Sequence, residues 1–172
     1  CNHIQGMFLE MISRMINPEC ILEIGTFTGY SAICLSRGLK DGGRLITVES
    51  NDELNDFARS YFAKAGVEPK IFQLTGRIQD LINSIEETFD LVYIDADKRE
   101  YVEYYKLVID KVRTGGFIIA DNVLWGGKVS NIDSRDPQTK GIIEFNELIK
   151  LQDNIEKVIL PLQDGIMIIR KK

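Results

Sequence analysis

Apolar residues recur along this chain with two spacings, one typical of helices and one typical of buried strands. In segment 5–16 they recur every three or four residues, which predicts a helix that ends at Asn17-Pro18. The same spacing predicts further helices at 28–39, 53–66, 78–87, 99–113 and 140–151. Short apolar runs predict strands at 20–25, 44–49, 70–74, 89–96 and 115–121.

Strands and helices therefore alternate through most of the chain, and the strands are apolar on both faces. Such strands are typical of a parallel sheet covered by helices on both sides. The last third differs, because "EKVILPL" and "GIMIIRK" flank the turn "QDG" and predict an antiparallel hairpin. We expect one domain over residues 1–172, an α/β fold whose doubly wound sheet is mostly parallel and ends in a C-terminal antiparallel hairpin.

The composition favours small-molecule partners. The 172 residues carry a net charge of −5 at pH 7, which disfavours broad binding to nucleic acid or anionic membranes. The three cysteines, Cys1, Cys20 and Cys34, form no CxxC pair, so a reducing, cytoplasmic location fits better than a disulfide framework. No apolar run approaches the ~20 residues that a membrane helix requires.

The turn after the first predicted strand has glycines suited to a bound nucleoside. In "EIGTFTGYS", Gly25 and Gly29 stand four apart, whereas GxGxxG places its first two glycines two apart around a diphosphate. Glu23 adds a carboxylate, which suits an ammonium or sulfonium group better than a diphosphate. Glu49 ends the second strand, where this fold places the acid that binds ribose hydroxyls. The alternative is a tight turn beside a solvated strand end.

Oxygen-bearing side chains follow two later strands. Asp95 and Asp97 come after the fourth strand, and Asp121 and Asn122 come after the fifth. If these strands are neighbours, Asp95, Asp121 and Asn122 converge as donors that suit a hard cation, Mg²⁺ or Ca²⁺. Lys98 lies just beyond, and a nearby dication favours its neutral form, which makes it a candidate general base. The alternatives are helix capping for the aspartates and a surface position for Lys98.

Three other residues carry weaker signals. Trp125 in "NVLWGG" is a candidate wall of an aromatic substrate pocket, with ordinary packing as the alternative. His3, the only histidine, has no partner in the sequence and favours a structural or surface role. Cys34 falls within a predicted helix and favours the core.

Several motifs, taken in order, resemble those of one enzyme family. They are "ILEIGTFTGYS", "VE" at the second strand, "FDLVYIDADKREY", "GGFIIADNVLWGGKV", "FN" at 145–146 and "LPLQDGIMIIRK". From about Gln5 to Lys171 the chain resembles the cation-dependent O-methyltransferases related to catechol and caffeoyl-CoA O-methyltransferases, in particular their bacterial members. The resemblance implies that S-adenosylmethionine (SAM) binds in a class I SAM-methyltransferase, Rossmann-like domain.

The resemblance also assigns cofactor contacts by position. The segment around the methionine half of SAM corresponds to Glu23, Gly25, Thr26, Tyr30 and Ser31. Glu49 falls on the residue that binds the ribose hydroxyls. The adenine loop corresponds to Gly76, Arg77, Ile78 and Gln79, where bacterial members usually have Gly-Asp-Ala, so this chain departs from the pattern there.

Metal, base and substrate positions follow in the same way. Asp95, Asp121 and Asn122 match the ligands of a divalent cation, Mg²⁺ or another such as Ca²⁺ or Mn²⁺, and Asp95 also borders the cofactor. Lys98 matches the lysine assigned as base. On the substrate side are Trp125 and Asp164, the latter on a family motif in the hairpin turn.

Two expectations concern the rest of the protein. The family carries N-terminal helices that help cover the cofactor and shape the substrate site, and this sequence lacks them, so we expect weak SAM binding without them. Family members are often dimers, which implies a homodimer here.

The reaction that this resemblance implies is transfer of a methyl group from SAM to one hydroxyl of a vicinal diol on an aromatic small molecule. A second hypothesis is methylation of a hydroxylated uridine in tRNA, which the acidic composition disfavours. A nicotinamide-dependent oxidoreductase is disfavoured by the missing GxGxxG pattern. A non-catalytic SAM-binding or interaction protein is disfavoured by the presence of Lys98 and the metal-ligand residues.

Overall fold

A computed structural model describes residues 2–172, in which strands and helices alternate as predicted. The helices are α1 (His3–Ile16), α2 (Tyr30–Ser36), α3 (Asn55–Lys64), α4 (Ile78–Leu81), α5 (Tyr101–Val108) and α6 (Pro137–Lys150). The strands are β1 (Cys20–Ile24), β2 (Arg44–Glu49), β3 (Ile71–Thr75), β4 (Phe89–Ile94), β5 (Val112–Asp121), β6 (Ile155–Leu160) and β7 (Ile166–Lys171). Across these residues, none of the helices has the length and apolar character needed to cross a membrane.

The strands form one sheet in the order β3-β2-β1-β4-β5-β7-β6. Strands β1 to β5 pair in parallel, while β7 runs antiparallel to both β5 and β6. The order in which the chain adds strands reverses between β1 and β4, and doubly wound sheets bind ligands beyond the carboxyl ends of the strands at such a point. The predicted fold, a mostly parallel sheet with a C-terminal antiparallel hairpin, is confirmed.

Helices cover both faces of this sheet. On one face, Phe145 of α6 packs edge-on against Tyr101 and Tyr105 of α5, with ring centroids 5.5 and 6.3 Å apart. On the other face, α1, α2 and α3 contribute a second buried cluster that includes Leu9 and Phe62. Burial on both sides is the reason that the strands are apolar throughout rather than alternating.

Element boundaries differ from the predictions where helical turns are short. The helix predicted at 78–87 is only α4 followed by a 3₁₀ turn, and the one at 99–113 is α5 between two 3₁₀ turns. Strand β5 begins at Val112, three residues earlier than predicted. In α3 the rings of Phe57 and Tyr61 pack at a tilt of 42°, with centroids 4.8 Å apart, and remain 45% and 43% exposed. The buried face of this helix is therefore narrower than its apolar pattern predicts.

Candidate active site at the carboxyl edge of the sheet

The ends of β1 and β4 are in direct contact at the switch point. Asp95 N donates a hydrogen bond to Ile24 O at 3.0 Å. Gly25 has a φ of 103°, and a Cβ at this position would lie 2.2 Å from Asp95 O. Only glycine permits that close approach. The glycine turn therefore joins two strand ends that both carry predicted site residues.

A cavity of about 420 Å³ opens beside this contact. Its volume lies within the ~300–1,000 Å³ that is usual for small-molecule sites. Its walls include seven predicted cofactor residues: Gly25, Glu49, Gly76, Arg77, Ile78, Gln79 and Asp95. The structure thus brings together residues from four strand ends at one place.

Glu49 lies at this cavity with its carboxylate held by backbone donors. Phe27 N donates to Oε2 at 2.9 Å, and Asn51 N donates to Oε1 at 3.1 Å. The side chain is therefore fixed at the end of β2 rather than free in solvent. Backbone donors that fix a carboxylate in this way leave further lone pairs for a ligand.

Glu23 lies in β1 within a buried hydroxyl network. Thr47 Oγ1 donates to Glu23 Oε2 at 2.5 Å and lies 2.5 Å from Thr26 Oγ1. Burial raises the pKa of Glu23 to about 7, and the nearby hydroxyls of Ser31 and Thr47 partly offset this. Glu23 Oε1 accepts no hydrogen bond from any residue in the range 2–172. Thr47 was not among the predicted site residues, although a polar residue within the apolar run "RLITVE" was a usable signal.

Tyr30, a predicted cofactor residue, packs on the N-terminal helix. A Cβ at Gly6 of α1 would lie 2.6 Å from the Tyr30 ring. Tyr30, Glu23, Thr26 and Ser31 do not line the described cavity. Their assignment to the methionine half of SAM stays a prediction.

The predicted adenine loop is hydrogen-bonded to Glu100, the residue just before α5. Arg77 and Gln79 donate to the two carboxylate oxygens of Glu100 at 2.9 and 3.0 Å, and Tyr104 OH donates to Glu100 at 2.8 Å. Glu100 and Tyr104 both line the cavity, and sequence analysis missed both. They lie more than twenty residues from the loop, so no local pattern connects them with it.

Asp95 and Asp121 end two adjacent strands side by side. Ile94 of β4 pairs with Ala120 of β5 in parallel register, so the next residue of each strand is an aspartate. Asp121 is 1% exposed. Burial raises its pKa, the negative charge of Asp95 raises it further, and protein hydrogen-bond donors act in the opposite direction. The two strands are therefore neighbours, which is the condition for the predicted convergence, and the assignment of Asp95, Asp121 and Asn122 as metal ligands stays a prediction.

Asn122 follows Asp121 in a left-handed conformation, with a φ of 62°. Asparagine tolerates this region better than most residues, and such conformations are frequent at functional sites. Within residues 2–172 no three or more His, Cys, Asp and Glu side chains form a metal-binding group. The predicted ligand set is of another kind, two aspartates and one asparagine.

Lys98 is buried against Asp95. Its Nζ donates to Asp95 Oδ1 at 2.7 Å and to Ala96 O at 3.0 Å, and its side chain is only 9% exposed. The alternative of an ordinary surface lysine is therefore wrong. The centroid of the Trp125 ring lies 6.0 Å from Nζ, so this residue borders Lys98, whose role as a base stays a prediction. Asp97 caps the turn that follows, because its side chain accepts from Arg99 N at 3.0 Å.

The hairpin turn supports the segment after Asn122. Asp164 O accepts a hydrogen bond from Leu124 N at 2.8 Å, and Gly165 O accepts one from Val123 N at 3.1 Å. The side chain of Asp164 is exposed, so the structure attaches its backbone, rather than its carboxylate, to this part of the site. Of the weaker candidates, Cys34 is buried, which confirms its predicted core position.

Known proteins with similar sequences share a named activity. A caffeoyl-CoA O-methyltransferase of Petroselinum crispum is 34% identical over 180 residues, which is 97% of this chain and 74% of that protein. A catechol O-methyltransferase of Niastella koreensis is 34% identical over 160 residues, 91% of this chain and 72% of that protein.

Solved structures and a family profile give the same result. The O-methyltransferase of Bacillus cereus in complex with S-adenosylhomocysteine (SAH) is 35% identical, with a TM-score of 0.96 over 100% of this chain and 82% of that chain. The O-methyltransferase TomG of Streptomyces achromogenes in complex with SAM is 31% identical, with a TM-score of 0.95 over 100% of this chain and 81% of that chain. The profile described as O-methyltransferase matches residues 1–172. The chain therefore belongs to the O-methyltransferase family of SAM-dependent enzymes.

Proposed function

We propose that this enzyme methylates one hydroxyl of a vicinal diol on an aromatic small molecule, with a divalent cation bound beside the acceptor. The observation that carries the proposal is the pairing of Asp95 and Asp121 at adjacent strand ends, with buried Lys98 in contact with Asp95. Relatives named caffeoyl-CoA and catechol O-methyltransferase support an acceptor of this class.

Residues of the cavity, together with Glu23 outside its lining, fit the chemistry of SAM. Glu49, at the end of β2, has the position and the lone pairs to accept hydrogen bonds from ribose hydroxyls. Glu23 has one oxygen without a donor among residues 2–172, which suits the ammonium group of SAM. The loop of Arg77, Ile78 and Gln79 forms the wall assigned to adenine.

The donor set at the end of β5 fits a hard cation. Asp95 and Asp121 supply carboxylates, and the Asn122 side chain makes no hydrogen bond within residues 2–172, so its amide oxygen is available. Oxygen donors without histidine or thiolate suit Mg²⁺, with Ca²⁺ or Mn²⁺ as alternatives. A bound cation would also offset the repulsion that raises the pKa of Asp121.

The proposed reaction uses the residues around these three oxygen donors. When bound, a divalent cation supplies Lewis acidity that favours ionisation of an acceptor hydroxyl. Lys98 is positioned to take the hydroxyl proton, and Asp95 Oδ1 holds its Nζ in place. The acceptor oxygen then displaces sulfur in line at the methyl carbon: an oxygen–carbon bond forms, the sulfur–carbon bond breaks, and SAH leaves. Positioning of this kind supplies on the order of 7–11 kcal/mol.

Trp125 supplies a surface for an aromatic acceptor. Its ring centroid lies 6.0 Å from Lys98 Nζ and 5.6 Å from Lys128 Nζ. A flat ring next to the base orients a flat substrate with its hydroxyl toward Lys98. The backbone of Asp164 supports this wall through Leu124.

Three expectations about the setting of the enzyme stay predictions. The family resemblance implies a homodimer, and the cysteine pattern favours the cytoplasm. RNA stays the less favoured partner because of the net charge of −5. A hydroxylated uridine in tRNA is the acceptor to test next if no catechol is methylated.

The first prediction is that methyl transfer to catechols requires a divalent cation. Protein incubated with SAM and a panel of catechols should yield monomethylated product by mass spectrometry. EDTA should abolish the product and excess Mg²⁺ should restore it, while phenols without a vicinal hydroxyl should give none. Turnover that survives chelation would contradict the cation mechanism. Failure with every catechol by protein that binds SAM would contradict the acceptor class.

The second prediction concerns the base. Lys98→Ala should lower kcat by about 10²–10⁴, the usual contribution of a general base, while SAM and Mn²⁺ still bind in equilibrium titrations. Lys128→Ala is the matched control, because this lysine lies equally near Trp125 but is exposed. An unchanged kcat in Lys98→Ala, or an equal loss in both variants, would show that Lys98 is not the base.

The third prediction uses the pKa of Glu23. A carboxyl with a pKa of about 7 is mostly protonated at pH 6 and mostly ionised at pH 8, and only the ionised form attracts the ammonium group of SAM. SAM should therefore bind about tenfold more tightly at pH 8 than at pH 6, as measured by calorimetry. Glu23→Gln should remove most of this dependence. The same pH profile in both proteins would rule out Glu23 as its source.

A further inference from the structure

Two buried side chains from different elements bind the same oxygen of Asp121. Tyr93 of β4 donates from its hydroxyl to Oδ2 at 3.0 Å, and Gln5 of α1 donates to Oδ2 from its Nε2 amide. Tyr93 is fully buried and Gln5 is 4% exposed. Neither side chain lines the cofactor cavity, and the sequence motifs gave neither residue a role.

These contacts determine which lone pairs of Asp121 remain. A carboxylate offers about four lone-pair sites, two on each oxygen. Gln5 and Tyr93 occupy both sites of Oδ2, and Asn122 N occupies one site of Oδ1 at 2.7 Å. One site on Oδ1 is left for another ligand.

We propose that Gln5 and Tyr93 are positioning residues of the cation site, which hold Asp121 so that it binds the cation through Oδ1 alone. The inference rests on the proposed cation-dependent function. The two donors fix the rotation of the carboxylate, because each approaches Oδ2 from a different element of the fold. Gln5 also couples the first helix to a strand end 116 residues away.

A purely structural role for these bonds makes a different prediction. Loss of a bond that only holds α1 on the sheet would lower stability without changing the affinity for a cation. Loss of a bond that orients a ligand lowers that affinity, typically by about 10–100-fold. Cation affinity therefore separates the two roles.

The test uses Mn²⁺, whose free concentration is measured by electron paramagnetic resonance, with the full chain. Tyr93→Phe removes one hydroxyl, and Gln5→Met removes the amide donor at similar length. Each variant should bind Mn²⁺ about tenfold more weakly than the unmodified protein, with a broadened spectrum of the bound ion. Thermal unfolding should confirm that each variant is folded at the temperature of the titration.

Ser13→Ala is the matched control for damage to α1. Ser13 is buried in the same helix, and its Oγ donates to Leu35 O at 2.6 Å rather than to Asp121. This variant should lower the melting temperature but change Mn²⁺ affinity by less than about twofold, because it leaves the Gln5 and Tyr93 hydrogen bonds to Asp121 intact.

The possible results distinguish failure of the positioning role from failure of the proposed cation site. Unmodified protein that binds SAM but no Mn²⁺ would contradict the proposed cation site itself. Unmodified protein that binds Mn²⁺, with Tyr93→Phe binding equally well, would contradict the positioning role even if Gln5→Met did not fold. Equal weakening in Ser13→Ala would also contradict it.

Discussion

The site depends on one constraint, the parallel register of β4 and β5. Because Ile94 pairs with Ala120, two aspartates must end neighbouring strands together, and their charges repel. The protein offsets this repulsion with donors rather than by separating the acids: Lys98 holds Asp95, and buried donors hold Asp121. A divalent cation bound by these carboxylates would neutralise part of the negative charge that the register concentrates.

In the proposed reaction, the same register brings the SAM site and the acceptor site together. Asp95 lines the cofactor cavity and is also one of the two acids at the end of β4 and β5. The close contact between Gly25 and Asp95 fixes the cofactor turn to that acid. In the proposed reaction, SAM and the acceptor diol would therefore need no large movement to meet, which suits a reaction in which the enzyme contributes mainly position.

Sequence predicted the parts of this site that depend on local pattern. Acids at the ends of buried strands must gather when the sheet is parallel, so Asp95, Asp121 and Asn122 could be grouped in advance. Side chains brought in by tertiary packing could not be predicted: Glu100 binds a loop more than twenty residues away, and Gln5 reaches Asp121 from the first helix. The boundaries of α4 and α5 were also predicted wrongly. Over a single turn, an apolar pair three residues apart fits a 3₁₀ helix as well as an α-helix, so the pattern does not show where the α-helix ends.

The most direct test of the central claim is a crystal structure with SAH and Mn²⁺, with the ion located by its anomalous scattering. We predict one peak within bonding distance of Asp95, of Oδ1 rather than Oδ2 of Asp121, and of the Asn122 side-chain oxygen, while Lys98 Nζ faces the open side of the ion. A fully occupied SAH site with no peak between these three residues would contradict the account.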